Sequence, residues 1–487
     1  MPGAGLIETE VAAIEAAPAP LGSQPGLRLR YRRFLIWLWL IMLIEALIFA
    51  FIQPVWSRVD EAQHFSFVQY LSDHGSLPVE GKTFVSKQVI DVSVRENQWG
   101  WRQNGALSTP AMLDPSRFTT VPAGLNKHDR KKWVRRNLWE FSYEAMQPPL
   151  YYAINVPVYK ALPADPLVKL YGMRVLAALL ASTMIPISFF IAREAFPDSR
   201  LVTMGTPVVV LLTQGYALNM SQISNDALAV PVAALAVLLL LRMVGRGLTW
   251  KRSLIAGAVI GAALLAKLTT IFLIPLALAA PALLVIYKRE QIRRALHHAV
   301  LIMIPPALML APWMIHNISL YGDPTGDSAA RPLLSSFFAS PLQSLQTLRL
   351  NEILPTFWFG EPIFPFPFWT VAWIAVGTAM AVALVGVLFY LSQGSRSQVP
   401  DVQIRIIFLL VALAVGIVGT LLIPFASGIG GVPGRYLYPV LPVGAFFLLF
   451  GIDRLLRRER AQFMAELLLV WMIFWESLSL LAYIQNR

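Results

Sequence analysis

The sequence contains no cysteine, which excludes disulfides, thiolate metal sites and a cysteine nucleophile. Charge is scarce too. Only 14% of the 487 residues are Asp, Glu, Lys or Arg, against about 25% in a typical soluble domain. Absent as well are a Walker glycine loop, a dinucleotide glycine fingerprint and a His-Glu-x-x-His zinc motif. Nucleotide-driven and zincin chemistry therefore have no support in the sequence. No internal repeat is visible, which counts against transporters built from inverted halves. What the chain has is apolar sequence: 56% of its residues are hydrophobic, in runs that recur along most of its length. That composition specifies an all-helical polytopic membrane protein.

The net charge of +12 would suggest a nucleic-acid partner in a soluble protein. In a membrane protein it marks cytoplasmic loops instead, and no nucleic acid is expected. Residues 1–33 read as a disordered cytoplasmic tail and 34–487 as one membrane domain. Arg28, Arg30, Arg32 and Arg33 precede an apolar stretch from Phe34 to Pro54. Its length of about 20 residues is enough to cross a bilayer core, so this first span reads as a signal anchor with its amino end inside. Further spans are expected near 172–192, 201–217, 227–243, 253–270, 271–287, 299–316, 369–392, 404–424, 436–452 and 463–484. The total is eleven, within a range of ten to thirteen.

If the spans alternate, three basic clusters fall on the side of the amino terminus: Arg242 to Arg252, Lys288 to Arg294, and Arg454 to Arg460. Residues 149–162 are apolar but short and carry Pro157. They are expected as a re-entrant or interfacial helix on the outer face. A reporter joined after Arg294 or Arg458 should accordingly be cytoplasmic, and one inserted near Gly105 or Ser340 external. A cytoplasmic signal near Gly105 would put Asp60 on the wrong side for any outer-face chemistry.

Two outer loops are large, 55–148 and 317–368. The second is dense in aromatic residues that serve either as interfacial anchors or as a platform for a sugar or lipid chain. Directly after the first span comes Asp60-Glu61-Ala62-Gln63-His64, with Phe65, Val68 and Leu71 spaced for an amphipathic surface helix. Asp60 and His64, four residues apart, share a helix face that suits a hydroxyl or a metal ion. Ser57 could equally cap the helix, with Asp60 as its reciprocal partner and the acids simply serving the free N–H groups and dipole of the first turn. Pro148 and Pro149 fix a rigid lead into the next helix but do not explain the neighbouring Glu144 and Gln147. Asn225-Asp226 at the head of a span is a good helix cap, and also a second carboxylate on the side of Asp60. Arg435, after a Gly-rich loop, and Lys267, near the end of its span, either snorkel to headgroups or bind a phosphate.

In order and spacing, several elements resemble the GT-C superfamily of membrane glycosyltransferases over about Arg33 to Leu456. The nearest group is bacterial, related to protein O-mannosyltransferases and the lipid A aminoarabinose transferase. The elements are Asp60-Glu61, Gln147-Pro148-Pro149-Leu150-Tyr151-Tyr152, Asn225-Asp226-Ala227, Ala266-Lys267-Leu268-Thr269, Pro312-Trp313 through Pro324, and Gly434-Arg435-Tyr436-Leu437. The resemblance implies a GT-C-like bundle with juxtamembrane helices in its first outer loop. It implies inverting transfer of a sugar from a polyprenyl-phosphate donor, at the outer face of the cell membrane, to an envelope lipid, glycan or protein.

On the same resemblance Asp60 is the general base, and Glu61 supports it or helps to place a divalent ion (magnesium or manganese). Arg58, Lys267 and Arg435 neutralise the leaving phosphate, and His64, Glu144, Gln147, Tyr151, Asn225, Asp226, Trp358, Glu361 and Tyr436 complete the substrate site. Gln147 departs from the group's pattern, where many relatives have His, which puts metal dependence in doubt. The rivals are a flippase for lipid-linked sugars, an O-antigen ligase or polymerase, and a scaffold without activity.

Overall fold

A computed structural model describes residues 25–56, 60–80, 82–95, 142–326, 350–360, 369–392, 400–427, 433–456 and 458–485. The described residues are helical, as apolar runs in a bilayer require: a helix satisfies its own backbone groups where no water can. The first span is α1 (Pro25–Ile52). Between it and the second span lie α2 (Glu61–His74), α3 (Lys87–Arg95), a 3-10 turn (Tyr143–Met146) and α4 (Leu150–Ala161). Next come α5 (Pro166–Ser182) with α6 (Met184–Ala195), α7 (Arg200–Leu211) with α8 (Gln214–Met220), α9 (Asp226–Arg246) and α10 (Trp250–Ala266). The chain continues through α11 (Leu273–Lys288), α12 (Ile292–Tyr321), α13 (Leu350–Phe359), α14 (Trp369–Ser392) and α15 (Pro400–Ser427). It closes with α16 (Leu441–Leu455) and α17 (Arg458–Gln485).

Among the described residues nine segments are long and apolar enough to cross a membrane, and α7 with α8, bent by 51°, makes a tenth. The remaining expected span, 253–270, is α10. Its 17 residues reach about 25 Å, short of a core of about 30 Å, and a 3-10 turn at Leu268–Phe272 follows it. Each expected span thus corresponds to a helix. Helix α4 has 12 residues and a length of about 18 Å, too little to cross.

Burial separates inner from outer helices. Helix α9 and the segment Gly434–Leu455 each bury 78% of their apolar stretch, whereas α12 and α17 bury 22%. Lipid is as apolar as leucine, so close backbone approach holds membrane helices together. Gly257 and Gly261, a Gly-x-x-x-Gly pair on α10, lie directly against Ile302, Pro305 and Pro306 of α12, where a Cβ would collide.

One local expectation is corrected. The stripe of Phe65, Val68 and Leu71 suggests a surface helix, yet Glu61 through Gln69 are all buried. Aromatic side chains outside the stripe account for this. Trp56 and Tyr159 close edge-on over Phe65, and Tyr152 stacks on Phe67 at 3.6 Å. Helix α2 is therefore clasped by α4 and the chain leaving α1. The polar residues it carries gather at one end of the bundle.

Candidate active site

The site begins where α1 stops. Gln53 is buried and donates from Nε2 to the Leu218 carbonyl and to Ser221 Oγ, both at 2.9 Å. The chain then turns through Trp56 (φ 55°) and Asp60 (φ 56°), both in the left-handed region. Bulky residues rarely adopt it, whereas Asp and Asn are enriched there. Asp60 stands at the N-cap position of α2, but its side chain makes no capping hydrogen bond. The capping role open to this carboxylate is not the one it plays.

The Glu61 carboxylate is held in a buried ion pair. Arg174 on α5 donates to both its oxygens, Nε to Oε1 at 2.7 Å and Nη2 to Oε2 at 2.6 Å. The Ile223 backbone N–H adds a third bond to Oε1 at 3.0 Å. Both side chains of the ion pair are 0% exposed. Engaged in this way, Glu61 holds the head of α2 in place. It is a positioning residue. Arg174 also donates to the carbonyls of Ala50, Gln53 and Pro54 at 2.6–3.0 Å, so the pair sews the end of α1, the head of α2 and the approach to α9 together. Arg174 is not among the residues expected from sequence. Its signal there is an arginine inside an apolar span, a costly placement that calls for a partner.

Around Asp60 the other residues converge. His64 shares a hydrogen bond of 2.9 Å between Nδ1 and the Tyr152 hydroxyl. Burial, reinforced by the charges of Lys267 and Arg435, pushes its imidazole down to about 3, so His64 is neutral at physiological pH. Lys267, at the break between α10 and the next 3-10 turn, donates to Asp226 Oδ1 at 2.7 Å. Asn225 donates to Gln147 Oε1 at 3.1 Å rather than capping α9 with its side chain. Burial, then the negative charge of Asp60, push the Glu144 carboxyl up to about 8. Lys267 and Arg435 both lie over the Tyr436 ring, at 5.3 and 5.6 Å from its centroid. Tyr151 is fully buried.

Gly434 sets the position of Arg435 and Tyr436. Its N–H donates to Thr356 Oγ1 at 2.8 Å, and a side chain there would strike the backbone of Ile353 and Phe357. Only glycine lets this turn press against α13. In the same turn Leu437 and Val440 line a cavity of about 470 Å³ together with Trp358, Leu384, Leu413 and Phe447. Its lining is apolar apart from Thr420 and the Trp358 indole. Trp358, expected as an interfacial anchor or in a platform for a sugar or lipid chain, faces an apolar space that suits hydrocarbon. Arg58 and Glu361 lie outside the described residues. Among the described residues no three His, Asp or Glu side chains are grouped to hold a metal ion.

A family described as "Predicted membrane protein (DUF2142)" matches residues 43–443. The chain belongs to that family. The matched stretch of this DUF2142 protein contains every residue of the cluster, from Asp60 to Tyr436. Two solved structures are similar to it. ArnT from Cupriavidus metallidurans bound to undecaprenyl phosphate is 12% identical with a TM-score of 0.48, over 88% of this chain and 61% of that one. The apo state of ArnT is 14% identical with a TM-score of 0.42, over 87% and 61%. The chain therefore spans about three fifths of the length of ArnT. No curated protein matches the DUF2142 chain in sequence.

Proposed function

We propose that this protein transfers a sugar from a polyprenyl-phosphate donor to a hydroxyl of an envelope acceptor, on the non-cytoplasmic face of the cell membrane. One observation carries the reading. A half-buried carboxylate, Asp60, that does not cap its helix shares its surroundings with Lys267 and Arg435, and the Arg435 turn also lines an apolar cavity. An amphipathic donor needs that combination: cations for the phosphate, hydrocarbon walls for the prenyl chain, and a base beyond the sugar.

The chemistry balances without a further reactant. The acceptor oxygen attacks the anomeric carbon and forms the new glycosidic bond. Its proton passes to Asp60. The bond from the anomeric carbon to the phosphate oxygen breaks, and polyprenyl phosphate leaves with the electron pair. Attack opposite the leaving group inverts the anomeric centre. Arg435 meets the charge that develops on the phosphate, which is most effective in a site closed to water. Lys267 is balanced by Asp226, so it adds a fixed dipole and one remaining face of donors rather than a whole positive charge.

The test is binding of polyprenyl phosphate to the purified protein. Arg435→Ala should weaken it about tenfold to a hundredfold, the size of one hydrogen bond to a charged group. Arg435→Lys should recover only part, because the paired geometry of the guanidinium is lost. Unchanged affinity in Arg435→Ala would return this residue to ordinary headgroup contact.

A further inference from the structure

Glu144 is the polar group of the site that the transfer step leaves unused. It sits in the 3-10 turn Tyr143–Met146 and is nine-tenths buried. Gln147 lies beside one side of its carboxyl, held there by Asn225 at the head of α9, which donates to Gln147 Oε1. The other oxygen, Oε2, is sealed from solvent and has no hydrogen-bond partner. Buried polar atoms are seldom left so.

The surroundings indicate what the partner is. The charged and titratable groups facing Glu144 are Asp60 at the head of α2, Tyr152 on α4, Asp226 at the head of α9, and Lys267 after α10. On the proposed transfer reading, Asp60 marks the acceptor side of the reacting centre and Lys267 the phosphate side. A group that faces both lies beside the sugar between them. A carboxylate there would add a negative charge next to a leaving phosphate, whereas a carboxylic acid offers a neutral O–H.

We propose that Glu144 binds the sugar of the donor in its acid form, donating a hydrogen bond from Oε2 to a sugar oxygen. The inference rests on the transfer reading and deepens it. The substrate class it selects is a sugar presenting a hydroxyl or other oxygen acceptor at that point. Because the acid form persists up to about pH 8, the protein should lose donor recognition above that pH, and through this residue.

Two measurements on the full-length protein in lipid nanodiscs test this. Infrared titration should show, in the difference between wild type and E144Q, a protonated-carboxyl band that disappears near pH 8. In the transfer assay, wild-type kcat/KM should be level at neutral pH and fall about tenfold per pH unit well above the transition, as for loss of one essential proton. E144Q keeps a donor that cannot ionise; it should be slowed roughly threefold to tenfold at neutral pH, with no alkaline fall. E144A should lose about a hundredfold relative to the wild type at neutral pH, with no alkaline fall and an unchanged melting temperature.

An alkaline fall in E144Q equal to that of the wild type overturns the proposal. So does an E144Q as inactive as E144A while folded, or absence of the infrared band. Should E144A fail to fold, the isosteric E144Q decides alone. A wild type that shows the band yet transfers no sugar from any polyprenyl-phosphate donor refutes the transfer reading itself, and with it the role given to Glu144.

Discussion

Asp60→Asn is expected to lower sugar transfer by about two to four orders of magnitude, with folding and donor affinity close to wild type. The substitution removes the basic oxygen and keeps the shape of the side chain. Asp60 holds a left-handed backbone, φ 56°, and Asn is among the few residues that accept it readily. Its side chain makes no capping bond to α2, so no cap is lost. The pocket around it already contains His64, neutral and with its Nδ1 engaged by the Tyr152 hydroxyl. Rates of a single turnover, measured on protein with wild-type melting temperature and wild-type polyprenyl-phosphate affinity, separate loss of the base from loss of binding. A rate within a few-fold of wild type would remove Asp60 from the chemistry.

The second large effect falls on stability. Arg174→Met should destabilise the protein by about 3–5 kcal/mol, the cost of leaving a buried charge without its partner. Here the abandoned group is Glu61, with no solvent access, and three carbonyls at the end of α1 lose their donor as well. Combining Arg174→Met with Glu61→Gln should recover part of that loss, because the double variant buries no net charge. Activity should not return with stability, since the turn that sets Asp60 would no longer be tied to α5. Thermal unfolding in detergent checks both statements. A single variant as stable as wild type would show that water or another group reaches Glu61.

Much of this arrangement is legible in the sequence, for identifiable reasons. Apolar runs of membrane length have few alternatives to helix, so the eleven expected spans appear as helices, with α10 shorter than expected. The motifs at Asp60, Glu144 to Gln147, Asn225–Asp226, Lys267 and Arg435 meet because each lies at a helix end, and the helix ends share one side of the bundle. What sequence spacing does not contain is the contact between distant segments. Glu61 stands next to Asp60 in the chain, yet its side chain points to Arg174, 113 residues away. Helix α2 looks amphipathic over its own residues and is buried because Trp56, Tyr152 and Tyr159 close over it. Trp358 belongs to an aromatic run that suits anchors or a sugar or lipid-chain platform alike; only the fold brings it to an apolar cavity with residues of α14, α15 and α16.

The most direct test of sugar transfer follows the donor itself. Purified protein would be incubated with the lipid extract and acceptor-containing envelope fraction of its own cells, and polyprenyl lipids followed by mass spectrometry. Sugar transfer predicts that one polyprenyl-phosphate sugar declines as free polyprenyl phosphate of the same chain length accumulates, with wild type and not with Asp60→Asn. If every polyprenyl-phosphate sugar in the extract persists unchanged in the presence of folded wild-type protein, the transfer function is contradicted.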